Sequence, residues 1–334
     1  DEGEVEELRL RAFLSKYGSR IVMLRSGEEE LPRGLSYLRD MDSLLLLSEE
    51  LRQPVTCSID ERGLPLGRRF LLRNGEESSI LLSGEDLPGN LCPLIQSGYG
   101  ELFSPRSSCM SFSELIIGET SCDGKKKMYE LLAEKKELYL MQLPQGADRP
   151  YARKMWIHEC RRLLRELEKR MGRAVCGEEL RAASRARNSY RLARLRLMQL
   201  LRRVPAPLSG EELFLILEGT ERLFPLPGRI SLLCELTAYL EERSRLLPEE
   251  GERKRILLTG CPIGGVSEKT LRLIESSGAS VVCLENCGGL KEAYTMVDID
   301  REDIMEAIAD RCLEIGCAVM DPNRRRLDRI RELS

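Results

Sequence analysis

The chain has 334 residues, 32% of them charged, and its 52 basic and 55 acidic side chains give a net charge of −3. This length is enough for two or three domains, and the balanced charge excludes a global attraction to nucleic acid or to an anionic membrane surface. Aromatic side chains make up only 5% of the chain, which argues against a base-stacking surface.

The sequence contains no run of about 18 apolar residues, so it predicts no transmembrane helix. Residues 1–7 are acidic and lack an apolar segment, so we expect no secretory signal peptide and a cytoplasmic location. In such a reducing compartment, cysteines remain thiols or bind metal rather than form disulfides. This matters because the chain has twelve cysteines and one histidine.

The first part of the chain changes from a helical to a strand-like pattern. Residues 1–50 read as two short helical segments, the second near residues 35–51. A first α/β domain is predicted for residues 51–148. Its strand-like runs are at 54–59, 79–83, 114–118 and 138–143. A helical pattern over residues 125–136 separates the last two runs, and a strand–helix–strand unit of this kind implies parallel strands.

A helical segment is predicted for residues 149–254, and a second α/β domain for residues 255–334. The helices expected in the segment cover 152–171, 178–203, 211–223 and 230–245. In the second domain, strands at 255–259 and 279–285 enclose a helix at 268–277, and another helix follows at 301–315. The predicted fold class is therefore α/β, with two parallel-sheet domains and a helical segment between them.

Several cysteines lie where predicted strands end. Cys122 follows the strand at 114–118 and opens a helix, Cys261 follows the strand at 255–259, and Cys287 follows the strand at 279–285. Loops at the carboxyl ends of parallel strands form the ligand crevice of such sheets, and a helix N-terminus favours a thiolate. If the two domains face each other, thiolates from both meet in one cleft, as an iron–sulfur cluster requires.

The alternative is that the cysteines pack as small buried hydrophobes, which is the commoner role of a single cysteine. No Cys-x-x-Cys pair is present, which disfavours zinc ribbons and bacterial ferredoxins. Spacing alone therefore leaves a metal site and simple packing both open. The cysteines assigned to packing are Cys57, Cys160, Cys176, Cys234, Cys283 and Cys312.

Five motifs occur in order along the second part of the chain: LCPLIQSGYG at 91–100, ETSCDGKKKMYE at 119–130, GCPIGG at 260–265, ENCGG at 285–289 and GCAVMDPN at 316–323. Together they resemble the 2-hydroxyacyl-CoA dehydratase and benzoyl-CoA reductase superfamily, and most of all its branch of double-cubane cluster proteins. The string CDGKKKM is the most specific of them. The resemblance runs from about residue 90 to the end of the chain.

The resemblance implies two Rossmann-like domains with iron–sulfur chemistry between them. Cys92 and Cys122 match ligands shared across the superfamily, and the three later motif cysteines match the double-cubane branch. The implied ligands are Cys92, Cys122, Cys261, Cys287, Cys317 and, as a further candidate, Cys109. The implied cofactor is a double-cubane 8Fe–9S cluster or a 4Fe–4S cluster. Family members continue beyond GCAVMDPN to another ligand cysteine, so the second domain reads as shortened.

The function that the resemblance implies is that of a low-potential reductase of the double-cubane type, which receives electrons from an ATP-dependent iron–sulfur partner. One alternative is a 2-hydroxyacyl-CoA dehydratase subunit with a single 4Fe–4S cluster, which eliminates water from an acyl-CoA through a ketyl radical. The other alternative is a non-catalytic electron carrier. The resemblance also implies a homodimer and a small-molecule or acyl-CoA substrate, with no nucleic-acid or membrane partner. No general acid or base can be assigned.

Overall fold

The structure, a computed structural model, describes residues 35–36, 43–48, 53–60, 86–88, 90–100, 113–221, 226–247, 253–263 and 268–334. The chain has a mixed α/β fold. Its described strands form one antiparallel sheet and two small parallel sheets. The described residues include no helix that is both long and apolar enough to cross a membrane.

Three strands near the start of the chain form the antiparallel sheet, in the order β1 (Leu35–Ser36), β2 (Ser43–Ser48) and β3 (Gln53–Asp60). The helix predicted near residues 35–51 is therefore wrong. A short run of consecutive leucines fits a buried helix or a strand equally well, and pairing with β3 decides between them. The strand predicted at 54–59 is confirmed as β3, although it pairs antiparallel. The strand predicted at 79–83 lies outside the described residues.

The first α/β unit contains α1 (Pro93–Gly100), β4 (Ile116–Glu119), α2 (Asp123–Ala133) and β5 (Leu138–Met141). The two strands run parallel and α2 connects them, which confirms the predicted strand–helix–strand unit. A small core joins the two helices. Its buried side chains are Leu87, Ile95, Tyr99, Met128, Tyr129 and Leu132.

The helical segment consists of α3 (Ala152–Met171), α4 (Gly177–Leu200), α5 (Gly210–Glu221) and α6 (Leu226–Arg243), close to the predicted bounds. Helix α3 ends at Gly172, whose φ of 68° lies in the left-handed region that glycine adopts without strain. Apolar faces of α4, α5 and α6 bury the largest core of the described chain. Its fully buried leucines include Leu197, Leu213, Leu217 and Leu233.

The second α/β unit pairs β6 (Lys254–Thr259) with β7 (Ala279–Glu285) in parallel, as predicted. Between them, a π-helical turn (Glu268–Arg272) continues into α7 (Leu273–Ser276). The helices after β7 are α8 (Leu290–Ala293), α9 (Ile304–Leu313) and α10 (Arg324–Leu333). Helix α10 has no counterpart among the predicted elements.

The two α/β units share a hydrophobic cluster. Helix α3 packs against α9, and Met141 of β5 lies in the same cluster as Met320, which follows α9. The carboxyl end of the first sheet therefore lies near the segment that connects α9 and α10. The finer expectation, that each unit is Rossmann-like, remains a prediction because each parallel sheet has two described strands.

Candidate functional site

Three candidate cysteines of the second unit come together near the carboxyl ends of β6 and β7. Thr259 of β6 pairs with Glu285 of β7, so Cys261 and Cys287 follow neighbouring strand ends by two residues each. Cys317 lies between α9 and α10. Cys287 is exposed, but the protein atoms packed around it partly desolvate its thiol and raise its pKa, and the thiols of Cys317 and Cys261 are near enough to raise that pKa further. All three are free thiols.

Two more candidate cysteines lie at the N-termini of neighbouring helices of the first unit. Cys92 directly precedes α1, Cys122 is the N-cap residue of α2, and both are exposed. The two helix ends are in contact, since a β-carbon placed on Gly124 would lie 3.0 Å from the Leu91 side chain. Unpaired backbone N–H groups and the helix dipole favour a negatively charged group at such ends. Cys92 and Cys122 therefore lie side by side at two helix N-termini.

Gln145 connects the Cys122 loop to the Cys317 turn. Its side-chain amide donates a hydrogen bond to the carbonyl oxygen of Ser121, the residue before Cys122. Its own carbonyl oxygen accepts from the backbone N–H of Asp321 at 2.9 Å. Within that turn, the side chain of Asn323 donates to the carbonyl oxygen of Cys317 at 2.8 Å. The two units are therefore hydrogen-bonded to each other beside candidate ligands from each.

The loop that carries Cys287 is tightly packed. A β-carbon on Gly289 would collide with the carbonyl oxygen of Leu284. On its other side, the fully buried Arg194 of α4 donates to the carbonyl oxygen of Gly288. The position of the Cys287 thiol is thus fixed by a glycine and by an arginine from the helical segment.

Gly289→Ala should destabilise the protein by about 1–3 kcal/mol, the range typical of overpacking, because the loop must move away from Leu284. Urea unfolding followed by circular dichroism measures the free energy of unfolding. Gly228→Ala is the matched control: no neighbouring atom lies within 4 Å of a β-carbon there, and the residue is in α6. A helix gains stability from that change. Equal effects of the two substitutions would contradict the packing argument.

Three of the cysteines assigned to packing are indeed within cores. Cys160 of α3 and Cys312 of α9 pack in the cluster shared by the two units. Burial, followed by the neighbouring Cys312, raises the pKa of Cys160 to about 12. Burial likewise raises the pKa of Cys283, on β7, to about 11. These three thiols lie among apolar side chains, as the packing assignment expects.

The packing assignment is wrong for Cys176 and Cys234, which are exposed. Cys176 is the N-cap residue of α4, and Cys234 lies on α6 beside the buried Leu233 but outside the helix face that packs. Cys109 lies outside the described residues, as does the side chain of Cys57.

Across the described ranges, no three His, Cys, Asp or Glu side chains surround a single metal-ion position. A single tetrahedral metal with Zn–S bonds of about 2.3 Å would hold its sulfurs roughly 4 Å apart. A 4Fe–4S cluster is held by four thiolates, one on each iron, so its ligands are spread around a larger body. The donor set, free thiols with no histidine among them, therefore fits an iron–sulfur cluster better than a mononuclear site.

The residues that hold the cysteine loops were missed by sequence reasoning. Gln145 and Arg194 bind backbone carbonyl groups, and that role leaves no motif in the sequence. Lys291 also belongs to this group, and it was detectable in principle: it follows the ENCGG motif on a helix whose neighbouring residues Leu290 and Ala293 are buried.

Two comparisons with known proteins bear on this geometry. Residues 59–334 match the family model of the 2-hydroxyglutaryl-CoA dehydratase D-component. The chain is also 35% identical over 323 residues to "Putative dehydratase subunit YjiM" of Escherichia coli (strain K12), an alignment that covers 90% of this chain and 83% of that protein. Both findings favour the dehydratase alternative over the double-cubane hypothesis.

Proposed function

The chain belongs to the 2-hydroxyglutaryl-CoA dehydratase D-component family, and from that membership we propose that it is a subunit of a 2-hydroxyacyl-CoA dehydratase with an iron–sulfur cluster. The observation that carries the proposal is the placement of Cys92 and Cys122 at two adjoining helix N-termini. When bound, such a cluster supplies single electrons at low potential. Its partner would be an ATP-dependent iron–sulfur activator.

The chain's own residues prepare the site for that cofactor. Cys92 and Cys122 lie at the starts of α1 and α2, and their thiolate forms would be the ligands that bind iron. Gln145 keeps the loop before Cys122 against the turn of Cys317. Cys317 is a further ligand in this proposal, because its turn is hydrogen-bonded to the first unit. Hydrogen bonding and solvent exclusion around the thiolates then tune the potential.

A second candidate is a reductase with a double-cubane 8Fe–9S cluster, and a specific observation favours it. Cys261 and Cys287 follow neighbouring strand ends, and the Cys317 thiol is within electrostatic range of the Cys287 thiol, in addition to the pair formed by Cys92 and Cys122. One 4Fe–4S cluster takes four thiolates, so five candidate cysteines exceed what a single cubane binds. In this second proposal, all five hold iron.

Anaerobic reconstitution with iron and sulfide tests both proposals. A single cluster gives about four irons per chain, and a double cubane gives about twice that number. Purified chain is then mixed with the activator, ATP, a reductant and a 2-hydroxyacyl-CoA, and water loss is followed by mass spectrometry. A dehydratase subunit, assayed together with any second subunit that it needs, forms the unsaturated acyl-CoA only when ATP is present. Iron near zero overturns both proposals, and reduction without turnover of any substrate indicates an electron carrier.

A further inference from the structure

A buried lysine connects the loops of two candidate ligands. The Lys291 side chain is only 4% exposed, and its Nζ donates a hydrogen bond to the carbonyl oxygen of Gly260 at 2.8 Å. Gly260 directly precedes Cys261 and has a φ of 142°, a conformation that favours glycine. Lys291 itself lies one helical turn after Cys287. One side chain therefore holds the Cys261 loop against the helix that follows Cys287.

The charges around Lys291 do not cancel, although one of them, that of Arg326, is partly exposed. Its Nζ lies 3.8 Å from the carboxylate of Glu285, which is 2% exposed, and the Nε of Arg326 lies 3.7 Å from the same carboxylate. Thr259 donates its hydroxyl to that carboxylate and accepts a hydrogen bond from Arg326 at 3.1 Å. Two cations against one carboxylate leave a net charge of +1.

Other acidic groups close to α10 do not supply the missing charge. Glu314 pairs with Arg325 at 3.8 Å, and Glu332 pairs with Arg329 at 3.0 Å. Because Lys291 and Glu285 are buried and Arg326 is only partly exposed, solvent screens the excess positive charge incompletely, and that charge favours an anionic group nearby. The thiol of Cys287 is within electrostatic range of Lys291. A cluster bound by thiolates is anionic and would provide the compensation.

We propose that Lys291 is a positioning residue that fixes the loops of Cys261 and Cys287 and raises the reduction potential of the cluster bound there. The inference rests on the second form of the proposed function, in which Cys261 and Cys287 hold iron. Reduction adds one electron to the cluster, with no bond made and no proton taken up, so the reduced state is more negative. A nearby cation stabilises that state more than the oxidised one.

The test compares four reconstituted proteins that differ in the charge of this group. The unmodified chain and the double variant Lys291→Met/Glu285→Gln both have a net charge of +1, Lys291→Met has zero and Glu285→Gln has +2, as counted from Lys291, Glu285 and Arg326. Potentials are measured anaerobically by titration with Ti(III) citrate, followed by electron paramagnetic resonance. We expect Lys291→Met to lower the potential and Glu285→Gln to raise it. Each shift should be about 59 mV, a tenfold change in a one-electron equilibrium.

The double variant and a surface control make the test specific. The reduction potential of the double variant should differ from that of the unmodified chain by no more than about half of that shift. Lys169→Met removes the same charge from an exposed position. Lys169 lies near Glu137, which precedes the amino end of β5, so this variant should leave the reduction potential unchanged. In the iron-free chain, Lys291→Met should also speed alkylation of Cys261, because its loop is no longer held.

A merely structural role predicts a different pattern. Lys291→Met and Glu285→Gln would then both lose iron or shift the potential in the same direction, and the double variant would be the worst of the four. The inference is overturned by that pattern, or by reduction potentials that do not change while the iron content stays normal. Iron near zero in the unmodified chain overturns the proposed function instead. If Lys291→Met does not fold, the upward shift in Glu285→Gln is still required.

Discussion

Cys122→Ser should remove most of the iron from the reconstituted protein and lower its turnover by at least about 100-fold, the upper end of the effects seen when groups outside the ligand shell are lost. The thiol of Cys122 lies at the N-cap position of α2 and is one of the proposed iron ligands. Serine lacks the sulfur that iron prefers. Iron content by colorimetric assay and turnover with the activator measure the two effects.

Loss of fold cannot explain that result, because serine is among the best N-cap residues. Cys176→Ser is a close control: Cys176 is also an exposed N-cap cysteine, with φ −81° and ψ 161° against −90° and 163° at Cys122. We expect it to keep full iron content and turnover. Normal iron and turnover in Cys122→Ser, or equal losses in the two variants, would remove Cys122 from the ligand set.

The helices and parallel strands after residue 113 were predictable because their patterns are local. Residues 152–171 repeat apolar side chains at helical spacing, and the observed α3 has the same bounds. The strand–helix–strand pattern around Met128 likewise gave the parallel pair β4 and β5. Of the first three strands, β3 was predicted at 54–59, but β1 and β2 were not predictable from periodicity. The leucine run at 44–47 becomes a strand because it pairs with β3, which is a tertiary contact.

The candidate site was predicted in part. Counting strand ends was enough to expect Cys261 and Cys287 at one edge of a sheet, and the structure places them there. Cys317 follows a helix, so no strand-end rule finds it, and only the resemblance of its motif pointed to it. Hydrophobicity also failed to separate packed from exposed cysteines on helices. Cys160 and Cys234 both lie in apolar runs, yet only Cys160 lies on the helix face that packs.

Helix α8, which follows Cys287, is held in place by arginines that surround one carboxylate. Glu292 of α8 pairs with Arg311 of α9 at 2.9 Å and with Arg191 of α4 at 3.4 Å. Both arginine side chains are less than 10% exposed. Burial, and then the charge of Arg311, lower the pKa of Arg191 to about 10. The positive charges of these arginines are therefore not fully balanced even with Glu292 present.

Glu292→Gln should therefore lower the free energy of unfolding by about 3 kcal/mol at pH 7, as expected when one partner of a buried ion pair is removed. Urea unfolding followed by circular dichroism gives that value. Glu137→Gln is the matched control, because Glu137 pairs with Arg170 at an exposed position. Pairs of that kind contribute about 0–1 kcal/mol.

The pH dependence of this difference separates a charge effect from a packing effect. Burial alone would raise the pKa of Glu292, but Arg311, Arg191 and Arg187 outweigh it and hold the pKa below its ordinary value. A carboxylate with a lowered folded pKa stabilises the protein fully above its unfolded pKa, about 4.3, and loses that contribution as the pH falls through the folded pKa. The difference between Glu292→Gln and the unmodified chain should be constant above about pH 5.5 and shrink below about pH 4.3. A difference that persists unchanged in acid would mean that the substitution acts through packing and not through charge.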